Sequence, residues 1–200
     1  MSEDGGPVPS DGAVLPRLRR AELIVFWIRL LFLLCGVTCL VRCCDWLQSY
    51  GLLSNRSLTQ LEQMGGRMTE QECPVSFPYT LYTNMRRTKV ETRLKFIKDS
   101  LELIIDLYHQ GNLSSANWET SKTDIFLITL HRQKDGLTPC VSNRKSGPRL
   151  TRYYRKLANR TLREMSSSPA SWELIRKETR KHLEQLDLLF ATVRRPTGSQ

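Results

Sequence analysis

Six cysteines, three histidines and three Asn-x-Ser/Thr triplets are the residues whose types and spacing could do chemistry in this 200-residue chain. Cys35, Cys39, Cys43 and Cys44 lie in or beside one apolar stretch, while Cys73 and Cys140 stand alone. No C-x-x-C pair lies outside that stretch, and His109, His131 and His182 have no metal-site spacing to the cysteines. These residues predict no metal and no cofactor. Read singly on helices, the histidines fit surface or boundary positions better than a base. Asn55-Arg56-Ser57, Asn112-Leu113-Ser114 and Asn159-Arg160-Thr161 are glycan-acceptor triplets with no proline in the middle. Asn112, next to Gly111, is the most turn-like acceptor. The nucleophile elbow G-x-S-x-G, the phosphate loop G-x-x-x-x-G-K-[ST] and the zinc pair H-E-x-x-H are all missing. Gly65-Gly66 reads as a helix stop. Asp99 and Glu102 read as solvated carboxylates on the outside of a helix, where ion pairing is the ordinary use. The chemistry expected here is therefore binding, not catalysis.

The formal charge of +10 leaves several partners open: nucleic acid, sulfated glycan, an anionic membrane or an acidic protein. Two strips carry much of it. Arg176, Lys177, Arg180 and Lys181 form one, and Arg152, Arg155, Lys156 and Arg163 the other. Nucleic-acid binding would interleave aromatics with the basic residues. Tyr153-Tyr154 is instead spaced for packing, so no nucleic acid is expected. The strips read as solvated faces or as a protein-contacting face, with Arg176 and Arg180 the better hot-spot candidates.

The N-terminus bears on localisation. Arg17, Arg19 and Arg20 precede a nearly continuous apolar run over 23–41, the pattern of a secretory signal. Val41 and Cys43 suit cleavage before Cys44. That divides the chain into a leader over 1–43, a domain over 44–193 and a disordered tail over 194–200. The run also approaches the ~20 residues needed to span a bilayer, although Arg29 inside it opposes spanning. A retained anchor and an intracellular form thus stay open beside secretion. Removing 1–43 takes away five basic and four acidic residues, which leaves a formal +9 on the rest.

Periodicity supplies the elements. Val90, Leu94, Ile97, Leu101, Ile104 and Tyr108 recur at spacings of 4, 3, 4, 3 and 4, one apolar stripe on a helix over 89–109. Leu58, Leu61 and Met64 mark a first helix over 46–64, closed by Gly65-Gly66. A long connection over 67–78 follows, then a short helical turn over 79–85. The segment 117–134 is apolar almost all round at Ile125–Ile128, which predicts burial on more than one side and a stop at Gly136. Helices over 149–165 and 169–193 complete the set. Ser168 caps the last one and Pro169 occupies its first position. Trp172, Ile175, Thr179, Leu183, Leu186 and Phe190 are its core stripe. Five long helices, one short one and no convincing strand predict an all-α bundle. The long connections over 67–78 and 136–148 match the crossovers of an up-up-down-down cytokine bundle.

Several segments carry a resemblance. Residues 168–178, Ser-Pro-Ala-Ser-Trp-Glu-Leu-Ile-Arg-Lys-Glu, resemble the last-helix signature of type I interferons, with Tyr153-Tyr154 as the preceding aromatic pair. Cys44-Asp45-Trp46-Leu47 is similar to the mature N-terminus of the bony-fish members. Residues 61–66 and 75–78, followed by Leu81-Tyr82, resemble the same group. The likeness covers roughly 44–193.

The resemblance implies a secreted antiviral cytokine acting as a monomer. Its partner would be a heterodimeric class II cytokine receptor of the cytokine receptor family B type, read out through Jak–STAT signalling, with no membrane insertion of the mature form. It implies a Cys44–Cys140 disulfide. Cys73 matches one half of a second family disulfide, but Ala170 and Ser171 stand where its partner would be. That places the chain with the two-cysteine fish group and leaves Cys73 as a thiol. One receptor face would include Met68, Phe77, Arg176, Lys177 and Arg180, and the other Lys95, Lys98 and Asp99. The competing reading is a basic helical protein acting on anionic glycans or membranes.

Overall fold

The computed structural model describes residues 24–31, 46, 49–141 and 147–194. The chain divides into two units, Met1–Arg42 and Cys43–Gln200. In the first, residues 24–31 are helical, and Ile24, Phe26 and Trp27 are exposed. No helix among the described residues is long and apolar enough to cross a membrane.

The second unit holds six α-helices among its described residues. They are α1 over 49–63, α2 Tyr79–Met85, α3 Val90–His109, α4 Thr120–Leu137, α5 Pro148–Ala158 and α6 Pro169–Arg194. Trp46 is helical as well. The described residues contain no strand. A short 3-10 turn follows α4 at Thr138–Cys140, and α5 runs on through a π turn at Asn159–Arg163. Five long helices and one short one match the expected all-α class.

Side-chain pairs fix the directions. On α1 and α6, Trp46 and Tyr50 meet Phe190 while Glu62 meets Arg180, so the two run antiparallel. Arg93 reaches Thr192 and Tyr108 reaches Thr179, so α3 is antiparallel to α6 and parallel to α1. Phe126 of α4 packs on Tyr108, and Gly136 lies against Trp46, so α4 descends. Taken in order, α1, α3, α4 and α6 are up, up, down, down. Tyr153 meets Glu178 and Ser167 lies by Gly111, so α5 rises antiparallel to α6. The 136–148 connection therefore joins two antiparallel helices, both packed on α3, at one end of the bundle, and is not the end-to-end crossover its length suggested. Among the described helices, α1 and α3 are the consecutive long pair whose connection runs from one end of the bundle to the other.

The reason lies at Gly136, which extends α4 instead of stopping it. A Cβ there would run into the Trp46 ring, so glycine is the residue that lets this indole pack against the helix backbone. The core is one cluster that takes in Tyr50, Leu61, Ile97, Leu101, Phe126, Trp172 and Leu186. The α6 stripe is buried throughout, from Trp172 to Phe190. Ser168 Oγ accepts the Ser171 backbone N–H at 3.3 Å, the cap expected before Pro169. The α4 run behaves differently from its expectation. Phe126 and Leu130 are buried, but Ile128 is 51% exposed, so this helix keeps one wet side.

Candidate functional site

Two residues of α6 tie down the long connection that begins at Met64. Arg176 is 0% exposed. Its Nη2 donates to the Gly66 carbonyl at 2.5 Å and lies 3.0 Å from a Glu173 carboxylate oxygen. The other Glu173 oxygen accepts the Trp118 indole N–H at 2.7 Å. Gly65 sits where a Cβ would fall 2.5 Å from Arg176 Nη1 and 2.8 Å from Trp118, so only glycine lets the chain pass this close to the guanidinium. The next residue, Lys177, donates through Nζ to the carbonyls of Glu70 at 3.2 Å and Gln71 at 2.9 Å, and to the Glu72 carboxylate at 3.0 Å. That hydrogen bond, with the Lys177 charge, lowers the Glu72 carboxyl below its usual range.

Further along, Phe77 closes the connection over an aromatic box. Its ring stacks on Tyr82 at 5.6 Å and meets His182 at 4.6 Å. His182 is 0% exposed, with Tyr153 and Tyr154 on its other sides and its Nδ1 2.5 Å from the Tyr82 hydroxyl. Burial, helped by the Lys181 charge, lowers its pKa to about 3. Beside the box, buried Glu178 accepts from Lys181 at 2.8 Å and from the Tyr153 hydroxyl at 3.3 Å. Cys73 is a half-buried free thiol, and burial raises its pKa. The box holds a histidine but offers no open face to a substrate. It works as a clamp.

Three expectations are corrected by this geometry. Arg176 is an internal tie instead of an exposed contact. His182 is a core residue instead of a boundary one. Asp99 is buried, with Lys95 Nζ 2.6 Å away, and does not lie on the solvent side of α3. A signal for the first was in the sequence. Trp172, Arg176, Thr179, Leu183, Leu186 and Phe190 are spaced 4, 3, 4, 3 and 4, so Arg176 belongs to an inward stripe.

Two outward surfaces carry the remaining expected contact residues. On α1, Leu52, Asn55, Thr59 and Glu62 fall on one face at helical spacing; on α6, Arg180, Glu184 and Leu188 do the same. Arg180 joins them by bonding Glu62 at 3.2 Å and Glu184 at 2.9 Å. Leu52 is 74% and Leu188 50% exposed. Periodicity missed both, because an apolar residue off the core stripe leaves no mark. Met68, Phe77 and Lys177 are half-buried along the same side of α6 or on the strapped connection. The other surface lies on α3 and α4, with half-buried Lys95 and Lys98 on α3 and exposed Ile128 on α4.

The triplets differ in setting. Ser57 and Thr161 are fully buried and donate to the carbonyls of Ser54 and Leu157. Asn55 and Asn159 are thus helical, whereas Asn112 and Ser114 are exposed outside the α-helices. Cys140 is disulfide-bonded. Cys44 lies outside the described residues, as do most of the leader and the tail from 195 onward. No group of three or more potential metal ligands occurs among the described residues.

The comparisons with known proteins agree on one family. The Interferon alpha/beta domain family matches residues 47–193. Interferon a3 of Oncorhynchus mykiss is 40% identical over 167 residues, covering 82% of this chain and 95% of that protein. Interferon alpha of Felis catus is 28% identical over 177 residues, covering 79% of this chain and 89% of that one. The solved structure of Zebrafish interferon 1 matches with a TM-score of 0.66 and 31% identity, over 76% of this chain and all of that one. With its helical bundle, its clamped connection and these relatives, the chain belongs to the type I interferons of bony fish, a family of secreted cytokines.

Proposed function

We propose that the protein is an antiviral cytokine that bridges the two chains of a heterodimeric class II cytokine receptor and triggers Jak–STAT signalling as a monomer. The observation that carries the reading is the joined face of α1 and α6. There two exposed leucines flank the Glu62–Arg180–Glu184 ion-pair chain beside a clamped connection. Apolar anchors framed by charge are the usual makeup of a binding hot spot. On this reading one receptor chain meets Leu52, Met68, Phe77, Lys177, Arg180 and Leu188. The second meets Lys95, Lys98 and Ile128. Arg176 and Asp99 position these surfaces from inside. The reading also takes 1–43 as a cleaved leader, 194–200 as a tail, Cys44 as the partner of Cys140, and Asn112 as the favoured glycan acceptor. The family match over 47–193 supports the domain bounds, and the exposure of Asn112 and Ser114 outside the α-helices supports the glycan site.

The test is STAT phosphorylation in cells carrying the matched receptor pair, treated with nanomolar protein recovered from culture medium. The double variant L188D/R180E should lose most of the response while keeping its melting temperature within a few degrees. A silent wild-type protein would overturn the reading. N-terminal sequencing and a disulfide map of the same material test the leader and the Cys44–Cys140 bond.

A further inference from the structure

The α5 helix and its π turn carry an unusual charge distribution. From Gly136 to Arg163 the sequence contains no aspartate or glutamate, yet it holds Arg144, Lys145, Arg149, Arg152, Arg155, Lys156, Arg160 and Arg163. Arg149, Arg152, Lys156, Arg160 and Arg163 are spaced 3, 4, 4 and 3, and all five are exposed. At 1.5 Å per residue they make a ridge about 20 Å long. Arg160 pairs with Glu164 at 3.4 Å. None of Arg149, Arg152, Arg155, Lys156 or Arg163 has a carboxylate within 4.0 Å among the described residues. The basic strip of α6 is the opposite case, since Arg176, Lys177, Arg180 and Lys181 each pair with a carboxylate.

Uncompensated like charges at i,i+4 spacing destabilise a helix, so this ridge is at odds with folding taken alone. It fits a linear polyanion. Arg155 and Arg163 also turn into a groove of about 390 Å³ between α5 and α3. Asp106 is the carboxylate on the groove's α3 wall, and it pairs with neither arginine.

The kind of polyanion follows from what the ridge lacks. Leu150, Tyr153, Tyr154, Leu157 and Leu162 are all buried, so α5 presents no apolar face to sink into a bilayer. The same burial of both tyrosines removes the stacking platform that single-stranded nucleic acid uses. We propose that the outer face of α5 is a docking surface for a sulfated glycosaminoglycan. Its ridge residues are none of those assigned to the receptor, and the proposal does not rest on the receptor reading.

The test compares binding to immobilised heparin as salt is varied. R152E/K156E should weaken binding at least tenfold at 0.15 M salt. It should also flatten the log–log salt slope by about 2, the counterion release of two lost contacts. R87E/K89E makes the same charge change at exposed positions elsewhere and should leave binding within twofold. Both variants should keep wild-type melting temperatures and full STAT activation in cells that lack sulfated glycans, so a failure here is separate from a failure of the receptor reading. Equal loss in both variants would overturn the proposal. So would release of the wild-type protein from heparin below 0.15 M salt, or equally tight binding to phosphatidylserine vesicles or an oligonucleotide.

Discussion

Arg176→Ala separates an internal tie from a receptor contact. The wild-type guanidinium is fully buried, bonds Gly66 at 2.5 Å and neutralises Glu173 at 3.0 Å. Removing it leaves a carbonyl and a carboxylate short of partners, along with a cavity between α6 and the connection. Breaking a buried pair costs about 3–5 kcal/mol. Glu173 is partly exposed and keeps its bond to Trp118, which moves the expectation to the lower end, about 3 kcal/mol. For a domain of this size that is roughly 6–12 °C in melting temperature. Urea unfolding should show a lower midpoint at unchanged slope. Glu173→Ala and the double variant complete a cycle, and the coupling should be about 1–3 kcal/mol. If Arg176→Ala unfolds within about 0.5 kcal/mol of wild type yet loses STAT activation, Arg176 is a contact residue and the structural reasoning fails.

Other perturbations probe the packing. His182 stays neutral in the fold to about pH 3, whereas in the unfolded chain it protonates near the ordinary histidine value of 6.5. The stability from keeping it neutral is therefore complete above pH 6.5 and is lost as pH falls from there toward 3, by roughly 3–5 kcal/mol. His182→Asn, which keeps an acceptor for Tyr82, should flatten the pH dependence of the urea midpoint over that window; an unchanged slope would count against the clamp. Gly136→Ala should destabilise by about 2–4 kcal/mol, because overpacking against Trp46 outweighs alanine's better helix propensity. Gly51→Ala, with nothing within 4 Å, should stabilise α1 by up to about 1 kcal/mol, and thermal melts of the pair give the comparison. Ser166 is exposed at φ 54°, a left-handed conformation that favours glycine. Ser166→Gly should gain about 0.5 kcal/mol in the same melts, and a loss would mean its hydroxyl matters.

The stripes of α3 and α6 were legible because each repeats at helical spacing over about five turns, and α2 stood out directly after the loop holding Pro74 and Pro78. Gly136 misled, since the indole that requires it comes from ninety residues away and no local pattern reports such an insertion. Residues carrying both charge and position were misread in one direction. Arg176, His182 and Asp99 look solvated by residue type, yet their partners, Gly66, Tyr82 and Lys95, make burial tolerable. For Arg176 and His182 those partners lie about a hundred residues away in sequence. Leu52 and Leu188 erred the other way, as apolar residues left outside with no core to fill.

The strapping of the α1–α3 connection by Arg176 and Lys177 also bears on the thermodynamics of association. Ordering one residue of free backbone costs roughly 1–2 kcal/mol. A connection of this length left loose would levy that cost on any partner at the moment of docking, and the observed affinity would shrink accordingly. Here α6 has already settled it during folding. Loosening either strap should therefore appear as an entropic loss in calorimetry, even for a partner that touches neither Arg176 nor Lys177.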